Sequence, residues 1–195
     1  MIAQAAARPG GARPAPLVLG MVLFIASETM FFGALFGAYF TLRSEAARWP
    51  PAGVHLDLLE MGIATAILLG SSIPAHLAEQ AIHAGQFGPA VRRLVLTSAM
   101  GLAFLGLKLH DWATAGFTVA SHAYGTIFFT LTGFHALHMV VGIILLLGLA
   151  VKVGAGTYRP GDPRARTGGP EAVIYYWHFV DGVWIAVFST IWLIR

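Results

Sequence analysis

The sequence has no cysteine. That absence excludes disulfides, covalently attached c-type haem, thiolate iron–sulfur clusters and thiolate copper centres. A redox metal in this chain would need His, Met or carboxylate ligands. Charge is scarce as well: Asp, Glu, Lys and Arg make up 11% of the 195 residues, well below the share of about 25% in soluble domains. What fills the space is apolar, with 57% hydrophobic residues that include 13 Phe, 5 Trp and 5 Tyr. These residues form long unbroken runs. A helix of about 20 apolar residues crosses the hydrocarbon core of a bilayer, and the chain has room for five. The strands of a membrane β-barrel are short and alternate apolar with polar, which these runs do not. The fold class is therefore all-α, a polytopic transmembrane helix bundle with five membrane spans.

The spans are expected at about 17–42, 58–82, 91–112, 122–151 and 172–194. Residues 1–16, with Arg8, Arg13 and three prolines, read as a disordered cytoplasmic tail. The run that follows is too long for a signal peptide, contains Glu28 and has no clean cleavage site, so it reads as an uncleaved first span. Asp57 and Glu60 open span two as in a capping box. Pro170 and Glu171 mark the start of span five. No internal repeat is evident, so an inverted-repeat transporter is not indicated. Residues 17–195 read as one five-helix domain.

The bases sit mostly in the connections. Arg8, Arg13, Arg92, Arg93, Lys152, Arg159, Arg164 and Arg166 fall on one side, and Arg43, Arg48, Lys108 and Arg195 on the other. The excess of bases marks the cytoplasmic side, which gives an N-in, C-out orientation. The formal charge of +3 thus reports topology and not nucleic-acid binding. The loop over 152–171 is the longest connection; Lys152, Arg159, Arg164 and Arg166 are candidates for contact with lipid phosphate or a partner subunit.

Polar groups inside the spans are the candidate functional residues, because lipid tolerates them only when neutral or paired. Glu28 lies near the middle of span one and shares a helical face with Met21, Phe32, Leu35 and Tyr39. It is expected to hydrogen-bond another helix; proton transfer is the alternative. Gly33 and Gly37 form a GxxxG on a different face and predict close approach of a further helix. His135 and His138 share a face of span four. They read as a buried hydrogen-bond network, with metal binding requiring further ligands such as Glu28. His178 and Asp181 share a face of span five with Trp177, Trp184, Phe188 and Trp192. Trp177 and Trp184 are further candidates for lipid or partner contact. His76, Glu79 and His83 line one face at the end of span two and read as interfacial. Lys108 and Asp111 end span three as an interfacial ion pair. Gly62, Ala66 and Gly70 form a small-residue packing stripe.

Several of these residues fall in recognisable motifs. The run Tyr175-Tyr176-Trp177-His178-Phe179-Val180-Asp181, followed by Val183-Trp184, resembles the C-terminal helix of cytochrome c oxidase subunit III. Tyr124-Gly125 through Phe128-Phe129, and Thr132-Gly133-Phe134-His135-Ala136-Leu137-His138, resemble the family's most recognisable internal stretch. Ser27-Glu28 with Phe31-Phe32 matches its Ser-Glu-x-x-Phe-Phe element. Asp111 and Glu171 fall where the family usually has Glu, and Lys108 stands at a position usually held by glutamine. The combination reaches from about 23 to 194 and is specific, although each motif alone is not.

The resemblance implies the shorter bacterial form of the family, without the first two of seven spans. In longer members those two helices form one arm of a phospholipid cleft. It implies a subunit that binds no haem and no copper, these being held by partner subunits. Such a subunit sits beside oxidase subunit I, in a complex with subunit II, and phospholipid is a possible ligand. It implies a place in a bacterial inner membrane and in aerobic respiration: the complex oxidises cytochrome c, reduces oxygen to water and pumps protons. The subunit would stabilise subunit I and support proton uptake, without catalytic residues of its own. Glu28 corresponds to the family's buried carboxylate. Within the family, a quinol oxidase subunit III and a relative associated with nitric oxide reductase remain alternatives. From other classes come an autonomous proton-coupled carrier using Glu28, His135, His138 and Asp181, and a self-contained metal protein.

Overall fold

The structure, a computed structural model, describes residues 16–158 and 168–194. The described residues are helices and short connections: α1 (Pro16–Glu45), α2 (Leu58–His83), α3 (Phe87–Thr114), α4 (Ala123–Gly154) and α5 (Gly169–Phe188). A π-helical turn, Ser189–Leu193, finishes α5. All five helices are long and apolar enough to cross a membrane. The tail over 1–15 lies outside the described residues, as do Arg159, Arg164 and Arg166.

Local chemistry explains the helix ends. Asp57 caps α2, its carboxylate accepting the Glu60 N–H at 2.9 Å. His122 caps α4 in the same way, with Nδ1 accepting the Gly125 N–H at 2.8 Å. Pro170 and Glu171 lie in the first turn of α5. Gly85 reverses the chain between α2 and α3 at φ 72°, a left-handed conformation that suits glycine.

The helices α2, α3, α4 and α5 close a four-membered ring: each packs on the next, and α5 returns to α2. α1 lies outside this ring and packs chiefly on α4 and α5. Only 11% of its apolar window is buried, against 33–44% for α2, α3, α4 and α5. Its far end is tied down. The Tyr39 hydroxyl donates to the Thr190 carbonyl at 3.2 Å, Trp49 Nε1 donates to the Tyr39 hydroxyl at 2.9 Å, and Arg43 bonds the Ile194 carbonyl.

Trp177 locks the ring. Its indole is seated between α3 and α4, where a Cβ on Gly101 would lie 2.7 Å from the ring and one on Gly142 3.0 Å. Its Nε1 donates to Ser71 on α2 at 3.0 Å. Trp184, one heptad on, donates to Thr65 at 2.9 Å. Both indoles are fully buried, so neither reaches lipid or a partner, contrary to the contact role expected for them.

Two small-residue stripes are largely open within the described chain. A Cβ at Gly33 or Gly37 would meet nothing within 4 Å, so no described helix packs closely there, and Gly33 lines an open cleft between α1 and α5. The stripe Gly62, Ala66, Gly70 is open only at its start: a Cβ at Gly62 would meet nothing within 4 Å, whereas one at Gly70 would lie 3.5 Å from Met100 of α3, and α2 buries chiefly Met61, Ala64, Leu68, Ser71 and Ala75. That row is about 100° away around the helix, which turns Gly62 and Ala66 outward.

Candidate functional site

The buried polar residues form a layered set between the helices. Glu28 on α1 and His138 on α4 pair across the α1–α4 contact, with Oε2 3.0 Å from Nε2. The other ring nitrogen, Nδ1, lies 2.7 Å from the Phe134 carbonyl. A carbonyl only accepts, so Nδ1 carries a proton and donates. Phe32 covers the imidazole, with ring centroids 5.1 Å apart, and the Tyr176 hydroxyl donates to the His138 carbonyl at 3.1 Å. The pair is partly exposed, at 21% and 12% for the two side chains. Glu28 thus contacts a second helix.

His135 does not join this pair. Its Nε2 donates to the Val180 carbonyl on α5 at 3.2 Å, and its ring lies against Trp184 and Phe104. The three-residue spacing therefore serves two separate contacts. Among the described residues, no group of three or more His, Asp or Glu is arranged to hold a metal ion.

Asp181 and His178 meet through a third residue. Ser72 on α2 donates its hydroxyl to Asp181 Oδ2, and Ser72 Oγ lies 3.2 Å from His178 Nδ1. Asp181 is buried and His178 exposed on the outer surface of the α2–α5 pair. Ser72 escaped the sequence reading, because a serine within an apolar span usually bonds its own helix. The adjoining Ser71-Ser72 pair in mid-span was the signal available.

Lys108 and Asp111 sit inside the bundle and not at its rim. The ammonium donates to Asp111 Oδ2 at 2.6 Å, and the side chains are only 1% and 6% exposed. The reason is aromatic cover. Phe128 and Trp192 lie 4.6 Å from the Lys108 nitrogen, Trp112 and Trp184 5.9 Å, a desolvated cation–π cage. The ion pair at the rim is a different one: His110 Nδ1 and Glu60 Oε1, 2.7 Å apart.

The remaining candidates lie near the ends. His76 is 3.7 Å from Glu79 and 3.0 Å from the Gln80 amide, and Lys152 is exposed in the last turn of α4.

This frame has relatives. The family model described as cytochrome c oxidase subunit III matches residues 12–194. A "Cytochrome c oxidase subunit 3" of Thermostichus vulcanus is 37% identical over 179 residues, 91% of this chain and 87% of that protein. A "Probable cytochrome c oxidase subunit 3" of Mycobacterium bovis is 36% identical over 187 residues, 94% of this chain and 90% of that one. The lancelet Branchiostoma lanceolatum has a protein named cytochrome c oxidase subunit 3 that is 38% identical over 182 residues, of which the match covers 67%.

The chain belongs to the cytochrome c oxidase subunit III family. It is thus part of an oxidase complex and a multi-pass membrane protein. The motifs that resemble subunit III have a common spatial sense. Ser27-Glu28 and Thr132–His138 meet as the α1–α4 pair. The Tyr175–Asp181 run supplies Trp177 to the ring's lock and Asp181 to the α2–α5 link.

Proposed function

We propose that this subunit III is a non-redox support of a haem–copper terminal oxidase, set N-in and C-out in a bacterial cell membrane. It binds subunit I, in a complex with subunit II, and it stabilises the catalytic subunit and supports proton uptake. The complex oxidises cytochrome c, reduces oxygen to water and pumps protons. This chain contributes neither haem nor copper.

The observation that carries the reading is where the charged groups at the core of the spans are spent. Glu28 bonds His138, Lys108 bonds Asp111 and Asp181 bonds Ser72, all within the chain. The first and third of these bonds join two helices and the second lies within α3; groups spent in this way serve packing, whereas a catalytic site aims its polar groups at an open cavity. The cleft between α1 and α5, about 400 Å³ and lined by Phe32, Gly33, Phe36, Phe179, Gly182 and Val183 among others, is apolar and suits an acyl chain of a phospholipid.

The test is purification of the tagged chain in mild detergent. The eluate should carry haem absorbance and cytochrome c oxidase activity through partner subunits. The chain purified alone should bind no haem or copper at stoichiometric level. Haem or copper retained by the isolated subunit overturns the reading.

A further inference from the structure

Packing accounts for one oxygen of Asp181 and not for the other. Oδ2 accepts the Ser72 hydroxyl. Oδ1 is buried with no hydrogen-bond partner among the described residues, and the residue as a whole is only 4% exposed. Among the described residues no base pairs with it: the ion pairs are His76–Glu79, Lys108–Asp111, His110–Glu60 and His138–Glu28. Burying a carboxylate charge without a paired cation is costly, and a bound proton removes that charge.

Ser72 connects this carboxyl to the surface. Its Oγ lies 3.2 Å from Nδ1 of His178, whose side chain is exposed. His178 adjoins a cluster of titratable groups. His76 and Glu79 of α2 lie close enough for their charges to act on its imidazole, and they are 3.7 Å from each other. Glu79 also acts on Tyr175, whose hydroxyl donates to Glu171 at 2.8 Å. Hydrocarbon does not tolerate so many ionisable groups side by side, so this end of the α2–α5 seam meets water. In the N-in, C-out orientation it is the cytoplasmic end. The acids and imidazoles in mid-span on the other helices packed against α5 have their own partners: Glu28 of α1 bonds His138 of α4, and His135 of α4 donates to the Val180 carbonyl. Lys108 of α3 is held by Asp111.

We infer that Asp181 is a proton-holding site that exchanges with solvent through Ser72 and His178, and that His76, Glu79, Tyr175 and Glu171 form the surface cluster from which it draws. The inference rests on the reading of the chain as a subunit that supports proton uptake, and deepens it by naming the groups that hold the proton. The transfer balances along the hydrogen bonds. With Asp181 ionised, Ser72 donates to Oδ2 and His178 Nδ1–H donates to Ser72 Oγ, leaving Nε2 unprotonated. As a proton is taken up on Nε2, the Nδ1 proton passes to Oγ and the Oγ proton passes to Oδ2. Asp181 is then a neutral acid that donates to Oγ, Ser72 donates to Nδ1, and His178 carries its one proton on Nε2. One proton has entered, and no bond between heavy atoms has changed. Release reverses the steps.

Infrared spectroscopy on the full chain, purified with whatever partner subunits it carries, reads the carboxyl directly. The expected result is a carboxylic-acid C=O band that grows as the pH is lowered, shifts in D2O and is missing from Asp181→Asn. His178→Asn keeps a hydrogen-bonding group beside Ser72 but does not take up and pass on a proton. It should retain the band and slow its exchange in D2O roughly a hundredfold, the scale on which a positioned acid–base group assists proton transfer. Ser72→Ala breaks the path at a second point and should slow the exchange alike, which separates a lost path from a disturbed imidazole. Exchange as fast as wild type in both variants overturns the path. No band assignable to Asp181 at any pH at which the protein stays folded overturns the proton-holding site. The subunit reading fails separately: a chain that co-purifies with no haem-containing partner overturns it, whatever the exchange of the Asp181 band.

Discussion

The Lys108 ammonium donates to the Asp111 carboxylate at 2.6 Å, one turn along the same helix, inside a box of four aromatic rings. Removing one member leaves a buried charge without its counter-charge, which costs about 3–5 kcal/mol. Lys108→Met should therefore lower the thermal stability of the detergent-solubilised chain steeply. Lys108→Gln should cost less, since its amide can still donate to Asp111 although it supplies no counter-charge. The double variant Lys108→Met with Asp111→Leu should recover most of the loss, because an apolar pair can replace a buried ion pair. Equal melting temperatures for Lys108→Met and Lys108→Gln would show that the hydrogen bond is not what matters.

The Trp177 indole occupies space that a side chain at Gly101 would need. Gly101→Ala should destabilise by about 1–3 kcal/mol through overpacking, although alanine favours helix at an unconstrained site by about 1 kcal/mol. Gly106→Ala on the same helix, where a Cβ meets nothing within 4 Å, should be neutral or stabilising. Thermal unfolding of both variants checks the pair, and a Gly101→Ala melt at or above wild type would contradict the seat described for the indole.

No described atom comes within 4 Å of a Cβ placed at Gly33 or Gly37 on α1. Gly33→Leu with Gly37→Leu should leave the stability of the isolated chain within about 0.5 kcal/mol, as for substitutions away from packed features. A larger loss on melting the isolated chain would mean that α1 packs through this face after all.

These outcomes mark what the sequence carries. Five spans, the Asp57 cap and the inward face of Glu28 follow from periodicity and from the cost of burying charge, which are local properties. The depth of Lys108 is not local. Its position three residues before Asp111 looks like a helix end, and only Phe128, Trp184 and Trp192, brought in from α4 and α5, make it interior. The glycine stripes are ambiguous for a related reason: GxxxG states that a helix has room to approach, not that one belongs to the same chain. Ser72 was hidden because the two groups it joins lie more than a hundred residues further along.

The Glu28–His138 pair allows the structural and proton-transferring roles to be separated. His138 Nδ1 donates to the Phe134 carbonyl, so one proton remains to be placed between Nε2 and Glu28 Oε2, 3.0 Å apart. In the neutral arrangement Glu28 is protonated and donates to Nε2. Glu28→Gln reproduces that arrangement, since the amide N–H donates to the same nitrogen in nearly the same shape. Glu28→Ala removes the donor and opens a gap beside Phe32 and His138, at a cost of about 1–3 kcal/mol for the unpaired imidazole and more for the cavity. For the assembled oxidase in vesicles, initial turnover and the proton-to-electron ratio should be near wild type in Glu28→Gln. Turnover-dependent inactivation should be faster in Glu28→Ala, which loosens α1 from α4. A residue that passes protons behaves differently: glutamine cannot ionise, so both variants would be damaged alike. A collapsed initial proton-to-electron ratio in fully assembled Glu28→Gln would assign proton transfer to this carboxylate and remove the structural reading.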